Sequence, residues 1–300
     1  MFRGFAILVA ATSLATATQA QVGPAPTLYR LDPATTFEEG CQDPCACPVA
    51  ITSDVFGTFT LRFTNSDPAG YNHYAIERVN WLVEMSGSQR RVSGSGEYKV
   101  GGQFALMQQL QLDLSFDGAA ALQFDSGLVA GGGGFPLLGI DIATNGFFCW
   151  DQVFRLTASP VPASERVPYS LVKSEYHVGC QPPCLCPIQT LSVAGGFDLV
   201  DLGQATDPAL QHYALVDIHW QTLPSQPPDE NFSGFGIYTL DAGAGKQRLV
   251  CDLVDGNGLK QRFDSGSAEG GETAPAEIDV SIALNGFFCF DKVFDLFAVP

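Results

Sequence analysis

The sequence predicts an all-β protein with two tandem homologous antiparallel domains, each a β-sandwich or a β-barrel stapled by disulfides. Three observations lead to this prediction. One long stretch of sequence is written twice, apolar and polar residues alternate through most of the chain, and a set of cysteines recurs in both halves. Repetition at domain length, alternation and paired cysteines together favour two small exported β domains.

The internal repeat divides the chain into two similar halves. The stretch "HYAIERVNW" begins at His73 and "HYALVDIHW" begins at His212, an offset of 139 residues. The stretches "NGFFCWDQVF" and "NGFFCFDKVF" recur near the end of each half. A period of this length indicates tandem domains and not a solenoid of short repeats. We predict β domains at 27–159 and 168–300, joined by a Pro-containing linker at 160–167.

Strand patterns justify the β architecture within each half. In "LQLDLSF", which begins at Leu110, apolar and polar residues alternate, as in a strand with one buried face. Asn145-Gly146 and Asn285-Gly286 predict tight hairpin turns. The strand "FFCWDQVFRL" has apolar residues on both faces, which predicts a cover from a loop, the sister domain or a ligand. About eight short strands per half favour a sandwich or a barrel.

The first twenty residues have the order of a secretory signal peptide. Arg3 precedes an uncharged apolar run, and small residues lead to Ala20. We therefore predict a signal peptide at 1–20, a mature chain that begins at Gln21, and a secreted or periplasmic location. The rest of the sequence carries no hydrophobic anchor, so we expect no membrane insertion.

The formal net charge of −17 makes the protein strongly acidic. Without a cluster of Lys or Arg there is no electrostatic term for binding nucleic acid, so we expect no nucleic-acid partner. A protein or a surface of unknown identity is the expected partner, and the oligomeric state is not predicted.

Four cysteines occupy matching positions in each half, three in a tight cluster and one in the last hairpin. In an exported protein this even count predicts two disulfides per domain. The disulfide candidates are Cys41, Cys45, Cys47, Cys149, Cys180, Cys184, Cys186 and Cys289.

Spacing along the chain favours one of the three possible pairings. A bond between the near neighbours Cys45 and Cys47 would be strained. We therefore expect Cys41 to pair with Cys45 across the turn, and Cys47 to pair with Cys149. The second half is expected to repeat this pattern. Zinc or copper bound by the four thiolates is the alternative, but the spacing is unlike that of structural zinc sites, so neither a metal nor a cofactor is expected.

Cys251 is the ninth cysteine and has no match in the first half. It falls on Leu112 of the repeat, an inward position of an alternating strand. We expect a buried free thiol that acts as a small hydrophobe. A catalytic cysteine would need exposure and a neighbouring base.

Two His-Tyr pairs are the polar candidates present in both halves: His73 with Tyr74, and His212 with Tyr213. A histidine beside a tyrosine could act as an acid or a base. The alternative is a structural role in which the polar atoms are satisfied by hydrogen bonds at the start of a core strand.

Asp125 and Asp264 occur in the repeated motif "FDSG" and are expected to accept backbone N–H groups in turns. Calcium is the alternative for the second half, where Glu269 and Glu272 follow Asp264 and where Asp229 and Glu230 occupy another loop.

These observations favour an exported noncatalytic protein with a structural, adhesive or protein-binding role. A barrel that binds a small apolar ligand is the first alternative, since many phenylalanines permit an apolar interior. A secreted hydrolase that uses His73 or His212 is the second, and it requires these groups to converge with an acid in a cleft.

Overall fold

The computed structural model describes residues 25–45, 50–85, 88–205, 210–223, 230–270 and 277–300. These residues form two antiparallel ten-stranded sheets, which confirms the predicted all-β tandem fold. The predicted signal peptide lies outside the described residues. Among the described residues, no helix is long and apolar enough to cross a membrane.

The first sheet contains strands β1 to β10. Their bounds are β1 (Thr27–Leu31), β2 (Thr36–Gln42), β3 (Ala50–Ser66), β4 (Tyr71–Met85), β5 (Ser88–Gly101), β6 (Met107–Phe116), β7 (Leu122–Asp125), β8 (Val129–Ala130), β9 (Leu138–Ala143) and β10 (Cys149–Pro160).

The second sheet contains strands β11 to β20 and follows a short 3-10 turn at Ala163–Glu165. Their bounds are β11 (Arg166–Leu171), β12 (Ser174–Cys180), β13 (Ile188–Gln204), β14 (Leu210–Thr222), β15 (Asn231–Asp241), β16 (Lys246–Asp255), β17 (Lys260–Asp264), β18 (Ala268–Glu269), β19 (Ile278–Ala283) and β20 (Phe290–Val299).

Each sheet closes on itself. In the first domain, the long strand β3 pairs with β4 on one side and with both β1 and β2 on the other. The last strand, β10, pairs with β9 and also returns to β1 and β2. The strands between them pair in chain order, so the path of hydrogen bonds returns to its start, as in a barrel. The second sheet has the same order, with β13 and β20 in the places of β3 and β10.

An aromatic cluster fills the interior of each domain. The ring centroid of Phe154 lies 4.8 Å from that of Phe37 and 5.3 Å from that of Trp81. In the second domain, Phe294 stands 4.5 Å from Tyr176 and 5.3 Å from Trp220. These interiors are packed with side chains, which is the arrangement that an ordinary structural core requires.

The disulfides differ from the pairing that chain spacing favoured. The structure contains Cys45–Cys149, Cys180–Cys186 and Cys184–Cys289. Cys41 is also disulfide-bonded, and Cys47 lies outside the described residues. The predicted bonds Cys41–Cys45, Cys47–Cys149, Cys180–Cys184 and Cys186–Cys289 were therefore wrong.

A turn after β12 explains the observed pairing in the second domain. The Cys184 N–H donates to the Gln181 carbonyl, and the Gln181 N–H donates to the Cys289 carbonyl. This turn brings the Cα atoms of Cys184 and Cys289 to 4.8 Å. The middle cysteine of the cluster therefore reaches the hairpin, and Cys180 bonds to Cys186 instead.

The two domains pack directly against each other through a third apolar cluster. Phe56 and Leu82 of the first domain lie in it with Val200, Val216 and Ile237 of the second. All five side chains are buried, so this junction removes apolar surface from water in the same way as a domain core.

Polar contacts flank the apolar junction between the domains. The buried Asn80 Nδ2 donates to the Gly236 carbonyl at 2.9 Å. At the exposed margin, Arg78 Nη1 donates to Asp217 Oδ1 at 3.0 Å. The directed hydrogen bond of Asn80 specifies the alignment of β4 with β15 more closely than apolar contact alone would.

Candidate functional site

Each domain exposes large aromatic side chains beside a disulfide. We call residues 144–150 the first aromatic loop and residues 284–290 the second aromatic loop. The first comprises the turn after β9 and the first two residues of β10, and the second comprises the turn after β19 and the first residue of β20. The exposed fractions are 56% for Phe148, 57% for Trp150, 57% for Phe288 and 62% for Phe290. The two domains thus present equivalent apolar surfaces to solvent.

A buried carboxylate organises the first aromatic loop. Asp151 is 1% exposed. Its Oδ1 accepts the N–H groups of Thr144 at 3.0 Å and Asn145 at 2.9 Å, and its Oδ2 accepts the Phe147 N–H at 2.7 Å. Hydrogen bonds from several backbone donors to one charged acceptor hold the loop around the carboxylate.

The second aromatic loop is built in the same way. Asp291 is 2% exposed, and its two oxygens accept the N–H groups of Asn285 and Phe287, each at 2.8 Å. In both loops the asparagine side chain also donates to a carbonyl three residues later, at 2.8 Å in the first loop and 3.0 Å in the second. The loop conformation is therefore determined locally by the Asn and Asp of the repeated motif.

The backbone of both aromatic loops is held in an unfavourable conformation. Phe147 and Cys149 have φ values of 63° and 54°, and Phe287 and Cys289 have values of 61° and 52°. A non-glycine residue in this left-handed region costs about 1–3 kcal/mol and persists only where surrounding contacts impose it. Here the Asp hydrogen bonds and the disulfide on each Cys impose it. Such strain is commonly stored at functional sites.

The hairpins that carry these loops are present, but their turns are longer than predicted. Asn145-Gly146 was expected to form a tight hairpin turn, whereas five residues, 144–148, separate β9 from β10. The turn is longer because Asp151 draws the N–H groups of the loop inward. The two apolar faces of the strand "FFCWDQVF" were the sequence signal for this site, although exposure of Phe148 and Trp150 was not expected.

His73 lies between two carboxylates at the surface of the first domain. Its Nε2 is 3.0 Å from Asp67 Oδ2, and its Nδ1 is 2.5 Å from Glu97 Oε1. The hydrogen bonds to Asp67 and Glu97 raise the pKa of His73. Both ring nitrogens are engaged, so the ring serves as an ion-pair partner. Tyr74 instead contacts Phe135 with centroids 5.2 Å apart, and both side chains pack against the core of the first domain.

His212 lies in the junction between the domains and is fully buried. Its Nδ1 is 3.0 Å from Thr239 Oγ1, and its ring is 4.8 Å from that of Phe56. Burial lowers the pKa of His212 to about 4, although Glu84 Oε2 is 3.6 Å from Nε2. Burial also raises the pKa of Tyr213 to about 12. His212 therefore belongs to the contact between the domains, whereas Tyr213 packs in the core of the second domain.

Asp125 and Asp264 both hold turns. The Oδ1 of each accepts a backbone N–H two residues later, from Gly127 or Gly266, at 2.8 Å. For both carboxyls, burial acts to raise the pKa, but hydrogen bonds outweigh burial and the pKa is lowered. The dominant donor to Asp264 is Arg248, which binds both oxygens.

Two of the five residues considered for calcium pair with basic side chains. Asp264 is bound by Arg248, and Glu269 is paired with Lys246. Glu272 and Asp229 lie outside the described residues. Within the described part of the chain, no three His, Cys, Asp or Glu residues form a metal-binding group.

Cys251 is a free cysteine with no exposed surface. Burial raises the pKa of its thiol, which keeps it protonated and unreactive. It packs in the core of the second domain at the inward position of β16.

The fold and the two loops define a class of protein: a tandem pair of closed antiparallel β domains, each with a disulfide-anchored aromatic loop. The sequence matches no protein-family model, and comparisons with curated proteins and with solved structures find no match.

Proposed function

We propose that this is an exported noncatalytic protein whose duplicated β domains bind a protein partner through the first and second aromatic loops. The observation that carries this proposal is the exposure of Phe148, Trp150, Phe288 and Phe290 on loops that a buried Asp and a disulfide hold in place. Exposed aromatic side chains grouped on a rigid support are typical of protein-binding surfaces.

The energetics of these loops suit binding. Each large aromatic side chain can bury 150–250 Å² in a contact, about 4–6 kcal/mol at 25 cal/mol per Å² before the costs of association. The aromatic loops are already ordered by Asp151 and Asp291. Less conformational entropy is then lost on binding than with a flexible loop. A partner with an apolar surface is therefore the expected ligand.

Export and duplication rest on the sequence. The order of Arg3, an apolar run and small residues before Gln21 supports cleavage and export. The disulfides Cys45–Cys149 and Cys184–Cys289 are compatible with an oxidising compartment. Amino-terminal sequencing of protein recovered from outside the cytoplasm should begin at Gln21. A chain that retains Met1 would contradict this part of the proposal.

Binding is tested with a variant that removes the aromatic surface. In the quadruple variant, Phe148, Trp150, Phe288 and Phe290 are each replaced by Ser, and Phe104→Ser is the matched control because Phe104 is fully exposed on another loop. Each purified protein is immobilised and exposed to extracellular and envelope proteins of the producing cells. The retained protein is then purified and its affinity measured by calorimetry.

The expected result is a partner that binds the wild type and the Phe104→Ser variant equally, and the quadruple variant at least about tenfold more weakly. Circular dichroism of all three proteins should be the same, because the substituted side chains are exposed. Equal affinity of the quadruple variant and the wild type would contradict the proposed surface.

A further inference from the structure

A small polar cavity lies where the two domains meet. Its volume is about 90 Å³. Arg91 and Asp117 of the first domain line it, together with Arg248, Arg262 and Asp264 of the second. At about 30 Å³ per water molecule, this space corresponds to about three waters, or to one small ion.

Arg91 is the buried charge of this cavity. Its side chain is 9% exposed, and its Nη2 donates to Asn80 Oδ1 at 2.7 Å and lies 3.5 Å from Asp252 Oδ2. Its Nε and Nη1 are buried and have no hydrogen-bond partner among the described residues. A buried charged donor without an acceptor costs more free energy than a neutral one. The side chain of Arg91, which lines the cavity, therefore carries a positive charge and two donors without an acceptor.

The two arginines of the second domain leave further donors available. Arg248 binds Asp264 through Nε at 3.0 Å and Nη2 at 2.6 Å. Arg262 binds Asp252 in the same way, at 2.7 and 3.2 Å. Both side chains use one edge of the guanidinium for the carboxylate. The Nη1 atoms take no part in either of these carboxylate contacts.

The carboxylates near the cavity are already engaged. Asp252 and Asp264 are occupied by Arg262 and Arg248. Asp117 Oδ1 accepts a hydrogen bond from the backbone N–H of Arg91 at 2.8 Å, and Asp117 Oδ2 lies 3.4 Å from Arg90 Nε. The pKa of Arg91 is lowered by burial and also by the positive charge of Arg262. An additional negative charge would oppose both effects, because it favours the charged form of Arg91.

We propose that this cavity binds a small oxyanion, such as inorganic phosphate or sulfate, which accepts hydrogen bonds from Arg91 of the first domain and from Arg248 of the second. Guanidinium groups are suited to such ligands because their N–H groups match the geometry of phosphate and sulfate oxygens. Since the donors come from both domains, the bound anion joins the domains and stabilises their contact.

The test is a titration of the full mature chain with sodium phosphate up to about 10 mM, with sodium chloride adjusted to constant ionic strength. Calorimetric unfolding gives Tm, and isothermal titration gives stoichiometry and affinity. Arg91→Gln removes the buried donors. Arg248→Gln is a second variant, needed if Arg91→Gln does not fold. It is chosen because the Arg248 side chain is less buried, with 42% of its surface exposed. Arg62→Gln is the control, because Arg62 pairs with Glu77 on the surface of the first domain.

The expected result is a saturable rise in Tm and one bound anion per chain, for the wild type and for Arg62→Gln. Binding should be at least about tenfold weaker in Arg91→Gln and in Arg248→Gln. A wild type that phosphate and sulfate stabilise no more than chloride does would overturn the proposal. Undiminished binding by either folded cavity variant would overturn it as well.

Discussion

Replacing His212 should remove a defined part of the pH dependence of stability. The folded pKa of His212 is lowered to about 4, below the usual value of 6.5. Between these values the unfolded chain binds a proton that the folded chain does not bind. The contribution of neutral His212 to the free energy of unfolding is therefore fully present above pH 6.5 and is lost as the pH falls towards 4. The difference of about 2.5 pKa units between the unfolded and folded chain corresponds to about 3.4 kcal/mol of unfolding free energy, which is lost completely at pH values well below 4.

The experiment compares urea unfolding at pH 7.5 and at pH 5.0. For a single group with these two pKa values, the wild type should lose about 2 kcal/mol of unfolding free energy through His212 over this interval. His212→Gln should lose about 2 kcal/mol less than the wild type, whatever its absolute stability. Taking the difference between the two pH values removes the cost of the substitution at the Thr239 hydrogen bond.

His73→Gln provides a control of opposite sign. The pKa of His73 is raised by its hydrogen bonds to Asp67 and Glu97, so its contribution is present below the unfolded pKa and is lost as the pH rises. His73→Gln should therefore lose more stability than the wild type on acidification. Equal pH slopes for the wild type and His212→Gln would refute the claim that His212 is buried in its neutral form.

Three further substitutions test the loops, the disulfides and the junction. Asp151→Asn should lower the unfolding free energy in urea by about 2–3 kcal/mol, since the Phe147 N–H loses its charged acceptor. An unchanged urea midpoint would show that the carboxylate does not hold the first aromatic loop. Replacing Cys184 and Cys289 together by Ala removes a disulfide that joins residues 105 positions apart, so it should lower the unfolding free energy in urea by about 4.7 kcal/mol. Stability equal to that of the oxidised wild type would show that this disulfide does not restrict the unfolded chain. Phe56→Ala should lower the unfolding free energy by about 3–5 kcal/mol, because Phe56 is buried in the junction, and should separate calorimetric unfolding into two transitions. A single cooperative transition would show that the junction does not couple the domains.

The all-β fold was predictable because its signal is local and repeated. Alternation in "LQLDLSF" places Leu110, Leu112 and Leu114 on one face, and all three are buried in β6 at 3%, 1% and 0% exposure. Matching the repeat put Cys251 at the position of Leu112, and its side chain is fully buried. A strand pattern of period two depends only on which face meets the core, so it can be derived without knowledge of the partner strands.

The disulfide pairing and the environments of the histidines depend on residues far away in the chain. The local sequence "HYA" is the same at His73 and His212, yet the first is hydrogen-bonded to surface carboxylates and the second is fully buried. The difference comes from Phe56 of the other domain, which covers His212. Similarly, the middle cysteine of the cluster reaches the hairpin because of a turn that spacing alone does not specify.

The outer faces explain why the two similar domains meet in only one way. In the first domain, Phe56 pairs with Leu82 across β3 and β4, and both side chains lie in the junction. The corresponding ladder pair of the second domain is Ala194 with Gln221. These two residues line an open groove of about 400 Å³. Asn231 and Ser233, the first and last residues of an N-glycosylation sequon, line the same groove. A large apolar pair on one domain is thus replaced by a small and a polar residue on the other.

The surface farther along the same two strands shows the reverse replacement. The second domain uses Val200 and Val216 in the junction, at ladder positions where the first domain has Arg62 and Glu77, which form an exposed ion pair. The contact is therefore head-to-tail, and such a contact between similar units can in principle extend into a chain of many copies. Each free surface carries a polar side chain where the junction has an apolar one, so adding a further copy would bury Arg62, Glu77 or Gln221 against apolar surface at a cost in free energy. The changes that orient the two domains also oppose further stacking, as polar capping units do in repeat proteins.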